Sequence, residues 1–154
     1  LNVNGTHMLK ADYTTPGTDN VWTNSMDRYG INNSVTFRNI ARFTAALDSG
    51  KMVNSFTLNY RNGYTDAAAN PYNIASKANI PVAIRLQVPS YSTIDYQGKY
   101  NISNKWDVRL GVKNLTDKEP PLSLRTSSGH QVGYDPRYAD TMGRTLYLNT
   151  SYTF

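Results

Sequence analysis

Two carboxylates flank a guanidinium in the segment GYDPRYAD, residues 133–140. Asp135 and Asp140 could serve as an acid and a base, and Arg137 between them could bind an anionic group. A pair of glycosidase carboxylates, however, needs a cleft and a defined separation, which sequence spacing does not provide. Because Pro and Asp also favour tight turns, we interpret the segment as a folded loop held by local hydrogen bonds and an Asp–Arg ion pair. We therefore expect no enzymatic activity.

His7 and His130 are the two histidines of the chain, and they lie far apart in the sequence. Metal sites draw on several His, Cys, Asp or Glu ligands at short, characteristic spacings. The chain has no cysteine, and neither histidine has a carboxylate partner at such a spacing. We expect no metal site and no other cofactor, and the lack of cysteine also excludes disulfides.

The 154 residues carry a net charge of +5 and include 12 tyrosines. The charges are scattered rather than clustered, which argues against a nucleic-acid partner. No apolar run approaches the ~18–20 residues of a membrane-spanning helix. Because the sequence opens on Leu1, with neither an initiator Met nor a signal peptide, we expect it to be a piece of a longer protein.

Apolar and polar residues alternate in six segments, which is typical of strands with two different faces. In the second segment from the C-terminus, Trp106, Val108 and Leu110 share one face, opposite Asp107 and Arg109. His7 and Ile40 are the mismatches, each lying on the wrong face of its strand. No window has an apolar stripe at helical spacing, so the sequence predicts an all-β, antiparallel fold. The six segments are residues 1–13, 37–47, 53–64, 92–102, 106–114 and 144–154.

The connections between these segments alternate in length. Residues 14–36, 65–91 and 115–143 are long connections, whereas 48–52 and 103–105 are short. Part of the second long connection, IPVAIRLQVPSY, also alternates, and it either extends the following strand or forms a loop hairpin. Outer-membrane barrels have short periplasmic turns and long extracellular loops, whereas sandwiches mix turn lengths at both ends. The pattern favours a barrel with all long loops outside the cell and the C-terminus in the periplasm.

The two faces have different meanings in the two architectures. In a soluble sandwich the apolar face is core, whereas in a large barrel it meets lipid and the polar face lines the lumen. The polar faces here hold Asp, Arg, Lys, Asn, Gln and Thr, as a wet lumen requires. Aromatic residues concentrate at strand ends, where the girdles at membrane interfaces lie. These residues are Tyr13, Tyr64, Trp106, Tyr152 and Phe154.

Residues 40–66 and 90–154 resemble a known family. WDVRLGVKNLTDKEPP (106–121) and GYDPRYADTMGRTLYLNTSYTF (133–154) resemble the C-terminal end of TonB-dependent outer-membrane receptors. IARFTAALDSGKMVNSFTLNYRNGYTD (40–66) resembles the preceding barrel hairpin of that family. The motifs that carry the likeness are NLTDKxPP after a strand, YDPRY in the last loop, and GRT before a strand that ends in Phe.

The resemblance implies a fold, a location and a set of partners. Such receptors are barrels of about 22 strands with a plugged lumen. They take up iron–siderophore complexes, cobalamin or oligosaccharides with energy passed on by TonB. Residues 1–154 would be about six C-terminal strands of such a barrel in the bacterial outer membrane. Its partners would be the plug and the other strands of the receptor, outer-membrane lipid and, through a missing N-terminal part, the TonB system.

Two sets of residues stand out as candidate functional positions. The alternation of Leu148, Tyr152 and Phe154 resembles the signal by which the barrel-assembly machinery recognises outer-membrane barrels, although Thr150 interrupts it. The Tyr- and Asn-rich outer loops could stack on and hydrogen-bond sugars or chelators. We expect ligand contacts from Tyr72, Asn73, Tyr134, Arg137 and Tyr138. The alternative is that these loops pack on one another.

Two other functions stay open at the level of sequence. The first is a smaller passive outer-membrane porin, which would lack a plug domain in its parent protein. The second is a soluble all-β binding or adhesion domain, in which the apolar faces form a sandwich core and the chain stays folded without detergent.

Overall fold

The computed structural model describes residues 1–17, 21–29, 34–68, 72–73, 78–79, 84–124 and 133–154. Every regular element in these ranges is a β-strand, and all strand pairs are antiparallel, which confirms the predicted all-β class. Over the same ranges there is no helical segment with the length and hydropathy needed to cross a membrane.

Six long strands form the main sheet, and six two-residue strands form three small ladders beside it. The strands in chain order are β1 Asn2–His7, β2 Asp12–Tyr13, β3 Thr23–Asn24, β4 Asn39–Asp48, β5 Met52–Arg61, β6 Tyr64–Thr65, β7 Tyr72–Asn73, β8 Ala78–Asn79, β9 Gln87–Val88, β10 Tyr91–Ser103, β11 Trp106–Lys113 and β12 Thr145–Tyr152.

The main sheet is a meander with the order β1-β4-β5-β10-β11-β12. Each long strand therefore pairs with the next long strand of the chain, and these six strands match the six segments predicted from alternation. Among the described residues, β1 and β12 each have a neighbour on one side only, so the sheet is open and has two edges.

The end of the first strand differs from the prediction. The first strand was expected to reach Tyr13, but β1 ends at His7. The last hydrogen bond on this side runs from Met8 N to Arg38 O, the residue just before β4. Beyond it, Ala11 O accepts a hydrogen bond from Ser25 N instead, so the backbone has left β4. Asp12–Tyr13 consequently pairs with Thr23–Asn24, away from the main sheet.

The short connections lie at one end of the sheet. Between β4 and β5, Gly50 adopts a left-handed φ of 82°, and its amide donates to Asp48 Oδ1 at 2.8 Å. Between β10 and β11, the amide of Lys105 donates to Ser103 Oγ. Because the sheet is an antiparallel meander, the three long connections all leave its opposite end.

The register divides the sheet into a charged face and an apolar face. Rows such as Phe43–Leu58–Ile94 lie on one side, and rows such as Thr44–Thr57–Asp95 lie on the other. The mismatches fall where predicted, because Ile40 pairs with Arg61 on the polar side and His7 pairs with Asn39 on the apolar side. All eight charged residues of the six strands lie on the polar face: Arg42, Asp48, Arg61, Asp95, Lys99, Asp107, Arg109 and Lys113.

The apolar face is not covered by any other part of the described chain. Phe56 is 48% exposed, Leu110 50% and Leu148 68%. The buried hydrophobic residues lie instead in the long connections at one end of the sheet: Met26, Val35, Phe37, Tyr64, Val88 and Ala139.

Gly63 allows the two ends of the β5–β10 connection to lie against each other. A Cβ at this position would lie 2.4 Å from Val88 O and 3.0 Å from Pro89 C. Both atoms belong to the backbone, so a rotamer change cannot relieve the contact.

Replacing Gly63 by Ala should therefore destabilise the protein by about 1–3 kcal/mol, the usual cost of overpacking. The measurement is urea unfolding of the protein. Gly98→Ala is the matched control, because the one close contact of its added methyl is with the hydroxyl of Tyr96, the end of a movable side chain. Equal midpoints for the two variants would contradict the assigned backbone contact.

Candidate functional site

The three long connections meet in one aromatic cluster at the end of the main sheet. The β1–β4 connection provides Val35 and Phe37, the β5–β10 connection provides Tyr64 and Val88, and Tyr138 comes from the β11–β12 connection. Tyr29 packs against the same group. We call these six residues the loop cluster. It is the place where the connections form a packed interior of their own.

The rings of the loop cluster meet edge to face. The centroids of Phe37 and Tyr138 are 5.0 Å apart at 78°, and those of Phe37 and Tyr64 are 5.6 Å apart at 88°. Each such pair adds about 0.5–1.5 kcal/mol beyond the burial of its surface. Because the rings come from three different connections, these contacts fix the connections relative to one another.

A buried carboxylate ties the last connection to the first. Asp135 is 4% exposed and accepts from Arg137 Nη2 at 2.6 Å and from the hydroxyl of Tyr29. Burial alone would raise the pKa of Asp135, but the hydrogen bonds from Arg137 and Tyr29 outweigh burial and hold the pKa below its usual value. Burial, and then the bond to Asp135, raises the pKa of Tyr29, which therefore remains a protonated donor.

Arg61, the last residue of β5, connects the sheet with the loop cluster. Its guanidinium carbon lies 4.9 Å above the ring of Phe37 and 5.6 Å from that of Tyr138. Arg61 Nη1 also donates to the carbonyl of Tyr138. The hydroxyl of Tyr138 accepts from the amide of Val35 at 2.6 Å, so one tyrosine joins two connections and a strand end.

A second buried carboxylate links the middle and last connections. Asp66 is fully buried, and its Oδ2 accepts from Ser123 Oγ at 2.9 Å and from the amide of Leu124 at 2.6 Å. Its Oδ1 accepts from the amide of Ala67. Hydrogen bonds of this kind compensate the cost of burying a carboxylate, so Asp66 fixes the start of the last connection.

The predicted ligand contacts fall into three settings. Arg137 and Tyr138 belong to the network just described, and the guanidinium carbon of Arg137 lies 5.0 Å from the ring of Tyr138. Tyr134 is half-exposed and follows Gly133, which bridges to Ser123. Tyr72 and Asn73 form β7, which pairs with β8 in a separate ladder. The structure therefore brings together two of the five residues.

The other candidates from the sequence take ordinary structural positions. The Asp–Arg ion pair predicted within GYDPRYAD is present between Asp135 and Arg137, and Asp140 Oδ1 accepts from the amide of Met142. His7 contacts Asn39 Oδ1 at 2.7 Å, and His130 lies outside the described residues. In the ranges that are described, no group of three His, Cys, Asp or Glu side chains could hold a metal ion.

One aromatic assignment changes. Tyr64 was expected at a membrane interface, but it is 6% exposed and belongs to the loop cluster. No pattern in the sequence predicted the roles of Tyr29, Arg61, Asp66 and Ser123. Their partners are distant in the chain, as in the bond between Ser123 and Asp66, so no local spacing could have indicated them.

The polar face of the sheet carries an excess of positive charge, with five cationic residues against three carboxylates. Arg109 forms an ion pair with Asp107 at 3.1 Å. Arg42, Lys99 and Lys113 have no carboxylate at ion-pair distance among the described residues. This face, together with the loop cluster above it, is the candidate functional surface.

Comparison with known proteins gives no relative for this surface or for the chain. No protein-family model, no curated protein and no solved structure matches it.

Proposed function

We propose that residues 1–154 form the C-terminal part of the β-barrel of a TonB-dependent outer-membrane receptor. Such a receptor takes up a scarce nutrient, an iron–siderophore complex, cobalamin or an oligosaccharide, and performs no enzymatic chemistry. The observation that carries the proposal is the segregation of charge: an exposed apolar face without a formal charge backs a face that holds all eight charges.

An apolar face of this extent needs a medium that solvates it. Soluble proteins rarely expose contiguous apolar patches above a few hundred Å². Phe43, Phe56, Tyr100, Leu110 and Leu148 are all more than a third exposed, and they lie on the five neighbouring strands β4, β5, β10, β11 and β12. The hydrocarbon of a bilayer solvates such a face, while a water-filled lumen solvates the other one.

The short-turn end of the apolar face carries an aromatic group suited to a membrane interface. Trp106 pairs with Tyr152 across β11 and β12, and the rings of Tyr152 and Phe154 meet edge to face at 5.3 Å. Thr150, which interrupts the apolar series, accepts a hydrogen bond from Trp106 Nε1 at 2.7 Å. Its hydroxyl therefore does not leave an unsatisfied polar group on this face.

The two edges of the sheet support a larger barrel. Unpaired backbone groups are not tolerated in lipid, so β1 and β12 would each require a further strand. In the proposed receptor the other strands of the same barrel supply them, and the plug occupies part of the water-filled lumen. Leu148 and Tyr152 on the edge strand β12, and Phe154 just after it, are exposed and would be accessible to the assembly machinery before the barrel closes.

The rival functions make different demands on the same sheet. A soluble binding or adhesion domain needs a second layer over the apolar face, and the described residues provide none. A passive porin accounts for the two faces equally well but has no plug and no need of TonB. Phe56→Arg separates lipid from water, and the intact mass of the polypeptide separates a receptor from a small barrel.

Phe56→Arg tests the lipid assignment. Phe56 is half-exposed at the middle of β5, so in a water-facing sheet an arginine there should change the stability very little. In a bilayer the same change should cost about 2–4 kcal/mol. The measurement is the unfolding midpoint of the complete polypeptide in lipid vesicles.

Ser55→Arg is the matched control, since it adds the same side chain at the same depth on the polar face. Ser55→Arg should lower the stability in lipid vesicles much less than Phe56→Arg does. Two variants with equal stability would exclude a lipid-facing apolar side.

The intact mass of the polypeptide, purified in detergent from its native membrane, tests the receptor against the smaller barrel. We expect a mass several times the 17.3 kDa of this chain, because a plug and further strands belong to the same polypeptide. A stable β-protein near 17.3 kDa with no other chain present would contradict the proposal.

A further inference from the structure

The polar face contains a cavity of about 300 Å³ that spans the middle of the main sheet. Its size is at the lower end of the range of about 300–1,000 Å³ that is usual for small-molecule sites. It is lined mainly by hydroxyl, amide and charged groups from β4, β5, β10, β11 and β12, among them Arg42, Thr44, Thr57, Gln97, Lys113 and Tyr147.

Two cations at opposite sides of this cavity lack a compensating carboxylate. Arg42 lies on β4 and Lys113 on β11, and neither has an ion-pair partner within the described part of the chain. Asp95 also lines the cavity, but its oxygens accept from Asn59 Nδ2 at 2.8 Å and from the amide of Asn114 at 2.9 Å. The positive charge at the cavity therefore exceeds the negative charge.

The floor between the cations presents hydroxyl and amide groups in fixed positions. The hydroxyls of Thr44 and Thr57 lie 3.1 Å apart, and the hydroxyl of Tyr147 donates to Gln97 Oε1 at 3.1 Å. The ring of Tyr147 lies over Gly111, since a Cβ at Gly111 would be 2.0 Å from the ring. Such a floor suits a ligand that is itself rich in hydroxyl groups.

The spacing of the cations sets the size of the ligand. Arg42 and Lys113 are separated by three strand steps and by two residues along the strands, which places their backbones about 16 Å apart. Both side chains are long, so they can close on a molecule of one or two sugar rings. An anionic group at each end of the molecule would meet one cation.

We propose that this cavity binds a small carboxylate solute rich in hydroxyl groups, of which an acidic disaccharide is the simplest example. Arg42 and Lys113 bind the carboxylates, and Gln97, Asp95 and the threonine hydroxyls bind the hydroxyl groups. The inference rests on the proposed function, because the polar face must line a watery lumen to receive a solute.

The probes are digalacturonate and its neutral counterpart galactobiose, titrated by calorimetry into the complete polypeptide in detergent micelles. We expect digalacturonate to bind at least tenfold more tightly than galactobiose, because bonds between charged partners are the stronger ones. The affinity for digalacturonate should fall as salt is added, whereas that for galactobiose should not. Both comparisons use the unmodified protein.

Arg42→Gln and Lys113→Gln should each weaken digalacturonate binding about tenfold. Arg42→Lys should retain most of it. Lys51→Gln is the control, since it removes one positive charge from the short turn between β4 and β5, away from the cavity. The affinity of Lys51→Gln for digalacturonate should equal that of the unmodified protein.

Equal binding of the two sugars, or unchanged affinity in both Gln variants, would overturn the inference. If digalacturonate binding fails these tests while Phe56→Arg still destabilises the protein as expected in lipid, the ligand assignment is wrong and the barrel proposal stands.

Discussion

A charged side chain is costly to place in an apolar medium, and the main sheet meets this constraint on every strand. Each of its eight charged residues lies on the same face, although the charges fall at irregular places in the sequence. Successive side chains of a strand point to opposite faces. A shift of one residue in the register of a strand would therefore move all of its charges to the other face. The sheet thus has one side suited to hydrocarbon and one suited to water.

The remaining structure follows from where such a sheet can bury residues. With one face exposed and the other polar, the sheet offers little room for a hydrophobic core of its own. The core lies instead among the long connections, where Phe37, Tyr64 and Tyr138 meet edge to face. Asp135 and Asp66 then fix the last connection to the other two through buried hydrogen bonds. The result is a set of loops with a defined arrangement above a polar wall.

The strands were predictable from the sequence and the loop cluster was not. Alternation located all six long strands, since a two-residue period appears within a few residues of chain. The strand end at His7 depends on which backbone carbonyl receives the amide of Ser25, and alternation contains no information about that choice. In the sequence Tyr64 is an aromatic residue at the end of a strand. Its partners Phe37 and Tyr138 come from other connections, so the local pattern does not indicate them. For the same reason Arg137 and Tyr138 were identified as a pair of interest, but their contacts with Tyr29 and Arg61 were not.

The central claim, that one face of the sheet meets lipid and the other meets water, can be measured directly. The chain contains no cysteine, so single spin labels can be attached to it at chosen sites. Phe56→Cys and Leu110→Cys place a label on the apolar face, and Ser55→Cys and Asn149→Cys place one on the polar face. In the protein reconstituted in lipid vesicles, oxygen should relax the first pair of labels strongly, and a water-soluble nickel chelate should relax the second pair strongly. Strong relaxation of all four labels by the nickel chelate would contradict a lipid-facing side, and with it the barrel.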